Sequence, residues 1–192
     1  MQTKNYGKIK VLSLRWTKII ASEYFGIFSF AFLTAIAAQI TIPVKPVPFT
    51  LQTMIVVLAG AMLGAKKGAY SQLLYLAAGA IGLPVFAALP ESGLGIARFL
   101  SPTGGFLLAF PLAAFATGLL VEKYKNYFAV VASMFLGEVI VMFSGSLFLN
   151  TFFIHNFSET IKVAAAIFSI WTVIKVFTAA AVYFGLTKSK DK

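Results

Sequence analysis

Two ionisable side chains fall inside long apolar runs of this sequence, where a charge is costly. Glu138 lies in the run 127–149, and Lys175 lies in the run 163–186. A charge at membrane depth costs about 2.5 kcal/mol or more unless it is paired or hydrated, so such a residue normally faces a cavity or a partner. Two interpretations stay open: the two side chains neutralise each other between neighbouring helices, or Lys175 lies in a cavity and binds an anionic ligand.

The residues around Lys175 place several chemical groups on one helical face. Trp171 and Thr172 precede the lysine by four and three positions, and Thr178 and Ala179 follow it at the same spacings. The face therefore offers a ring, a hydroxyl and an ammonium together, which suits an amphipathic carboxylate. If Lys175 lies in a cavity, Lys175, Thr172 and Trp171 would bind the substrate.

Glu138 has further interpretations of its own. Small residues, including Ser133, Gly137 and Ser144, surround it in the same run and most simply permit close packing of helices. Glu138 could instead be the proton site of a secondary transporter. Such carriers usually contain internal repeats and broken helices, and this chain shows no convincing repeat between its halves.

Two segments rich in proline and glycine separate apolar runs, at residues 42–53 and 93–106. Proline stiffens a loop, and glycine lets the backbone approach a ligand closely. Arg98, in the second segment, could form two hydrogen bonds to a carboxylate or bind a ureido oxygen, or it could extend towards lipid headgroups. His155 is expected to be a polar loop residue.

The overall composition indicates an integral membrane protein. Of the 192 residues, 59% are hydrophobic and 11% are charged, and the mean hydropathy is +0.89. A soluble domain is about 45–50% apolar and about 25% charged, and a disordered chain is poor in aromatic residues, whereas this sequence has 20 Phe.

The same composition excludes several classes of chemistry. The sequence has no cysteine and one histidine, so it lacks thiolate metal sites, iron–sulfur clusters and disulfides. It contains neither a phosphate-binding P-loop motif nor a nucleophile paired with a base. We therefore expect no catalysis, no metal and no cofactor.

Six apolar runs predict an all-α integral membrane protein with a single membrane domain, since each is close to the ~20 residues that span a bilayer. The predicted transmembrane helices are residues 24–42, 50–65, 69–86, 104–121, 127–149 and 163–186, and Lys66, Lys67 and Gly68 are expected to break the chain between the second and the third.

The positions of the basic residues predict the orientation. Twelve lie in the N-terminal segment 1–22, the second and fourth loops and the tail 187–192, whereas three, Lys45, Arg98 and Lys162, lie on the other side. The positive-inside rule then places both termini in the cytoplasm and the chain in the cell membrane. The net charge of +10 is thus mainly a topology signal with attraction to anionic lipid, and it does not indicate nucleic acid.

Three short motifs, in order, resemble the BioY family. They are residues 48–53 (PFTLQT), 79–86 (GAIGLPVF) and 102–106 (PTGGF). Members of that family are biotin-binding membrane subunits, the substrate-specific (S) components of energy-coupling factor (ECF) transporters. The resemblance implies the S-component fold of six helices with an outward-facing pocket for biotin. It also implies a separate transmembrane scaffold (T) subunit and two cytoplasmic ATPase subunits as partners.

The resemblance also implies where the ligand binds. Phe49 and Gln52 would form one wall of the pocket, while Arg98, Thr103 and Gly104 would close its outer side.

In the last helix, the Asp-x-x-Lys pair of the family corresponds here to Thr172 and Lys175, so the lysine is retained and the acid is replaced. Glu138 could supply the carboxylate from the neighbouring helix. Ala31 and Ala35 in the first helix resemble the motif by which the family contacts its scaffold subunit.

The predicted function is therefore high-affinity capture of biotin at the outer face and its uptake across the membrane. The alternatives are a stand-alone proton-coupled carrier of biotin or a related amphipathic carboxylate that uses Glu138, and a structural membrane subunit without a ligand. Which end of biotin meets Lys175 stays open.

Overall fold

Helices make up most of the computed structural model, which describes residues 23–88, 93–167 and 169–188. Within those residues a two-stranded ribbon, a 3₁₀ turn at Gly95–Leu100 and a π turn at Asn150–Ile154 connect the α-helices. The helices are α1 (Glu23–Gln39), α2 (Gln52–Leu63), α3 (Ala65–Ala80), α4 (Gly104–Leu108), α5 (Phe110–Lys123), α6 (Tyr127–Leu149), α7 (Phe157–Ile167) and α8 (Ile170–Lys188). The predicted basic segment 1–22 and the tail from residue 189 lie outside the described residues.

Several helices have the length and apolar character of membrane spans. Among the described residues, three helical stretches are long and apolar enough to cross a membrane, Gly104–Lys123, Tyr127–Ile154 and Ile170–Thr187, and two apolar helices, Tyr24–Gln39 and Gln52–Leu63, are shorter. Large hydrophobic side chains are exposed on the helices, such as Phe28 and Phe143. An apolar exterior of this kind favours contact with lipid.

The first half of the chain departs from the predicted bounds mainly around α3. The prediction that Lys66, Lys67 and Gly68 break the chain is wrong, because α3 begins at Ala65 and includes all three. The break is Gly64 alone, whose φ of 82° turns the backbone out of α2. A carboxylate oxygen of Glu122 then accepts a hydrogen bond of 2.9 Å from the backbone N–H of Ala65 and caps the new helix.

The predicted helix 69–86 also ends too late, because α3 stops at Ala80 and Gly82 has a φ of 96°. Similarly, α1 ends at Gln39 rather than at residue 42, since Thr41–Ile42 forms strand β1. The second helix is slightly shorter than predicted, and α6 coincides with the predicted helix 127–149.

The predicted helices 104–121 and 163–186 are each divided in two. Ala109 separates α4 from α5, whose first turn contains Pro111, a residue without a backbone N–H to donate. In the second case, α7 begins at Phe157, before residue 163 and thus within the stretch between the last two predicted helices. The side chain of Asn156 accepts a hydrogen bond of 3.2 Å from the backbone N–H of Glu159 and so starts a helix there.

Strand β1 (Thr41–Ile42) and strand β2 (Phe49–Thr50) form an antiparallel ribbon in which Ile42 pairs with Phe49. The backbone N–H of Leu51 also bonds the carbonyl of Ile40, at 3.3 Å. These bonds hold the start of α2 beside the end of α1.

Close packing between helices depends on glycine at several crossings. A Cβ atom on Gly60 of α2 would lie 2.1 Å from the carbonyl oxygen of Ala114 on α5, so a larger residue does not fit without moving a helix. The last helix, α8, packs against α2 and α6, and Val176 on α8 shares a buried cluster with Val57 and Met134. This arrangement turns one face of α8 inward, towards α2 and α6.

Candidate binding site

A cavity of about 250 Å³ lies between the ribbon, the 3₁₀ turn and the helices α2, α4, α5, α6, α7 and α8. Its walls are mainly apolar and aromatic, a composition typical of sites for small organic ligands. Apolar side chains that line it include Val47, Phe86, Phe106, Phe110, Met142 and Ile167.

Lys175 and Glu138 form an ion pair in the wall of this cavity. The Lys175 Nζ lies 3.4 Å from Glu138 Oε2, and the side chains of the two residues are 9% and 2% exposed. The same ammonium donates a hydrogen bond to the hydroxyl of Thr53 on α2. The first interpretation of the pair is therefore confirmed, since the two charges neutralise each other, and both residues also line the cavity. The binding of an anionic ligand by Lys175 stays a prediction.

Arg98 lines the cavity from the 3₁₀ turn. It is 3% exposed, which contradicts the interpretation that it extends to lipid headgroups. Its Nη2 donates a hydrogen bond to the carbonyl oxygen of Ala87. Burial lowers the pKa of the guanidinium, and the nearby Tyr75 partly offsets this effect, but an arginine side chain stays protonated in proteins.

Beside Arg98, the hydroxyl groups of Ser101 and Thr103 lie 3.0 Å apart, and the Ser101 hydroxyl also donates to the carbonyl of Arg98 at 2.8 Å. Thr103 lines the cavity as expected. The bonds therefore fix the segment between the 3₁₀ turn and α4, and with it the positions of Arg98 and Thr103.

Phe49 and Gln52 line the cavity together at the start of α2. The Gln52 side-chain amide donates a hydrogen bond to the Tyr75 hydroxyl, which in turn donates to the carbonyl of Val85 at 3.3 Å. The hydroxyl of Thr50 donates to Gln52 Oε1 at 3.1 Å. These bonds hold Gln52 in one orientation, so it forms a rigid part of the wall.

The sequence predicted that Trp171 and Thr172 both face the ligand, but in the structure only Trp171 lines the cavity. Trp171 lines the cavity and remains 43% exposed. Thr172 is 1% exposed and is not among the lining residues, because its hydroxyl donates to the carbonyl of Ile167 at 3.3 Å. The expected contact between Thr172 and a ligand is thus not supported by this geometry, and the residue instead joins α7 to α8.

Gly104 also differs from the expectation that it closes the pocket. It lies at the start of α4, where a Cβ atom would be 1.9 Å from the carbonyl oxygen of Phe99. Its role in the structure is therefore close packing under the 3₁₀ turn, and Gly104 does not line the cavity.

Ala31 is 8% exposed and belongs to the same buried cluster as Tyr75 and Leu76 of α3. Ala35 is partly buried against that cluster. The close approach that Ala31 permits is thus to helices of this chain, and the contact of Ala31 and Ala35 with another subunit stays a prediction.

His155 is exposed at the end of the π turn, with a left-handed φ of 53°, and it lies outside the cavity, as expected for a loop residue. Within the described ranges, no group of three or more His, Cys, Asp or Glu side chains could hold a metal ion.

Sequence reasoning missed several residues that complete the site, notably Thr53, Phe110, Val141 and Met142. Thr53 directly follows Gln52 in the first motif, which is a usable signal. The other three carry none, since both the cavity face and the lipid face of a transmembrane helix are apolar.

The sequence profile described as the BioY family matches residues 9–192 of this chain. The chain belongs to the BioY family. Among curated BioY relatives, "Biotin transporter BioY" of Thermotoga maritima is 38% identical over 159 residues, which cover 83% of this chain and 92% of the relative. "Probable biotin transporter BioY" of Pyrococcus horikoshii is 36% identical over 162 residues, covering 84% and 94%.

A crystal structure extends this BioY relationship to the fold. The S-component for biotin from an ECF-type ABC transporter superposes with a TM-score of 0.76 at 26% identity, covering 98% of this chain and 95% of that one. The prediction of a helical membrane protein with the S-component fold is therefore confirmed. The BioY relatives are transporters rather than enzymes, as predicted.

Proposed function

We propose that this chain captures biotin at the outer face of the cell membrane, as the substrate-binding subunit of an ATP-driven ECF transporter. The observation that carries the proposal is the buried Lys175–Glu138 pair in the wall of an apolar cavity, within a chain of the BioY family. Biotin combines an apolar bicycle and chain with a neutral ureido group and a carboxylate. An apolar cavity with a few fixed polar groups suits such a molecule.

Seven of the nine residues expected to bind the substrate line this cavity: Phe49, Gln52, Arg98, Thr103, Glu138, Trp171 and Lys175. Its volume of about 250 Å³ lies just below the ~300–1,000 Å³ range of ligand pockets, which favours a small ligand over a peptide or a lipid.

The energy for uptake would come from other subunits, a transmembrane scaffold and two cytoplasmic ATPases. The sequence has no P-loop motif, the usual phosphate-binding element of ATPases, so we expect ATP to bind to the other subunits and not to this chain. The solved relative is named as part of an ECF-type ABC transporter, which supports partners of this kind.

Both termini would lie in the cytoplasm, with the ribbon and the 3₁₀ turn on the outer side, as the distribution of basic residues favours. The chain has no native cysteine, so single cysteines can be introduced at Val44 and at Lys66. A membrane-impermeant maleimide applied to intact cells should label Val44→Cys and leave Lys66→Cys unlabelled; the reverse pattern would overturn the orientation.

The decisive binding experiment is calorimetric titration of the purified, detergent-solubilised protein with biotin, with lipoate as the control ligand. Nanomolar binding of biotin and no binding of lipoate is the expected result. A folded protein that binds neither ligand would contradict the proposal.

Uptake experiments separate the proposal from a proton-coupled carrier. Cells without other biotin transporters should take up biotin when they contain this chain with the scaffold and ATPase subunits, and a Walker-A lysine substitution in the ATPases should abolish that uptake. Uptake that survives this substitution but is abolished by Glu138→Gln would favour the proton-coupled carrier.

A further inference from the structure

Glu138 contains a buried oxygen atom that the described residues leave without a hydrogen bond. The carboxylate is 2% exposed, and Lys175 interacts with its Oε2 atom. Its Oε1 atom has no partner among the described residues. Buried acceptors in proteins are almost always hydrogen-bonded, because an unpaired one loses its hydration without compensation. Glu138 lines the cavity, and a small shift of its side chain on ligand binding would bring the buried Oε1 against a donor of the ligand.

The charges at this wall select the kind of group that fits there. Glu138 and Lys175 neutralise each other, so the pair as a whole does not require an anion. A ligand carboxylate next to Oε1 would face a like charge and would have no proton to donate. A neutral N–H group would satisfy the oxygen directly.

Biotin has one end of each type. Its ureido ring carries two N–H donors and one carbonyl acceptor, whereas its valerate end is an anion with acceptors only. The ureido ring therefore matches a wall that presents both a carboxylate oxygen and an ammonium, and the valerate does not.

We propose that Glu138 is the specificity-determining residue of this site: its Oε1 accepts a hydrogen bond from a ureido N–H of biotin, and the valerate points away from it. This inference rests on the proposed function. Of the described residues that line the cavity, Glu138 alone is acidic. Thr172, which corresponds to the acid of the family's Asp-x-x-Lys pair, bonds to the backbone outside the cavity, so α8 offers the ligand no carboxylate.

The first test needs only the wild-type protein and ligand analogues. Biotin, its two isomers methylated on one ureido nitrogen, and biotin amide, which lacks the carboxylate charge, are titrated in turn. At least one N-methyl isomer should bind roughly 10- to 100-fold more weakly than biotin, the loss expected for a hydrogen bond to a charged acceptor. Equal affinity for both N-methyl isomers and biotin would overturn the inference, whatever the variants below do.

The second test repeats these titrations on Glu138→Gln. Its carbonyl oxygen would be drawn to Lys175, so the amide N–H₂ would face the ligand, donor against donor. Biotin should bind roughly 10- to 100-fold more weakly than to the wild type, and the penalty for N-methylation should largely disappear. The penalty for biotin amide should be the same in both proteins, since the carboxylate lies elsewhere.

Glu159→Gln is the matched control, because Glu159 is exposed and pairs with Lys162 at 2.7 Å. Its affinities for all four ligands should equal those of the wild type. If Glu138→Gln, with an unchanged melting temperature, retains the full N-methylation penalty, the ureido does not bind Glu138 and the inference fails while biotin capture stands. A wild type that binds no biotin would instead overturn the proposed function.

Discussion

Lys175 on α8 donates a hydrogen bond to Thr53 on α2, although the two residues are 122 positions apart in the chain. The contact joins the last helix to the end of the first motif. The same ammonium also donates to Glu138 Oε2, at 3.4 Å. One buried lysine therefore links three helices at the cavity wall, and substitutions of it are expected to change stability as well as binding.

Replacement of Lys175 by methionine should weaken biotin binding roughly 30-fold or more, because one member of a buried charge pair is lost. The Glu138 carboxylate would then be buried without its counter-charge, which destabilises a protein by about 3–5 kcal/mol. Calorimetric titration and thermal unfolding in detergent measure the two effects. Lys162→Met is the matched control, since its exposed pair with Glu159 is worth at most about 1 kcal/mol.

The double variant Lys175→Met with Glu138→Gln distinguishes the two effects. It should recover most of the lost stability, because no unpaired charge remains, yet it should still bind biotin weakly. A single Lys175→Met variant with wild-type affinity would remove the lysine from the site.

Substitution of Thr172 by valine tests whether this residue binds the ligand, as the sequence predicted, or only bonds to the backbone, as in the structure. The hydroxyl bonds to the carbonyl of Ile167, so its loss should lower stability by about 0.5–1.5 kcal/mol. Affinity for biotin should stay within about threefold, a difference well under 1 kcal/mol. Thr178→Val, at an exposed position of the same helix, should change neither quantity. A folded Thr172→Val protein with tenfold weaker binding would restore the original prediction.

Arg98→Gln tests whether the guanidinium binds the carboxylate of the ligand. Arg98 lines the cavity and is held by the Ala87 carbonyl, and arginine can donate to several acceptors at once. The affinity for biotin should fall roughly 10- to 100-fold, in line with a hydrogen bond between charged groups. The affinity for biotin amide should fall much less. Equal losses for the two ligands would indicate that Arg98 only supports the 3₁₀ turn.

Trp171 should report ligand binding by fluorescence, since it lines the cavity and is partly exposed. The sequence has two tryptophans, and the other, Trp16, lies outside the described residues. Addition of biotin should change the emission of the wild type and of Trp16→Phe alike. An unchanged emission in Trp16→Phe, in which Trp171 is the one remaining tryptophan, would show that the ligand does not approach this residue.

Gly60→Ala should destabilise the protein without any direct effect on the ligand. The new methyl group would collide with the Ala114 carbonyl on α5, and overpacking of this kind costs about 1–3 kcal/mol. Gly185→Ala is the matched control, because a Cβ at Gly185 would meet nothing within 4 Å. Melting temperatures in detergent should fall for the first variant and not for the second.

Much of the architecture could be predicted from the sequence, because membrane helices have a strong compositional signal. Long apolar runs give the approximate positions of the helices, and α6 was predicted at its observed bounds. The errors arose where a local backbone feature decided the outcome. Gly64 alone ends α2, and the Asn156 side chain starts α7 in the stretch between the last two predicted helices.

The sequence by itself also determined the chemistry of the site, since Glu138 and Lys175 are charges in apolar runs and Arg98 lies in a glycine-rich segment. Only the tertiary structure decided which neighbours face the cavity. Thr172 and Trp171 are adjacent in the sequence. The Thr172 hydroxyl nevertheless donates a hydrogen bond to the backbone carbonyl of Ile167, whereas Trp171 lines the cavity. The physical reason is that a helix in a membrane is apolar on every side, so composition cannot distinguish its lipid face from its cavity face; packing against other helices makes that distinction.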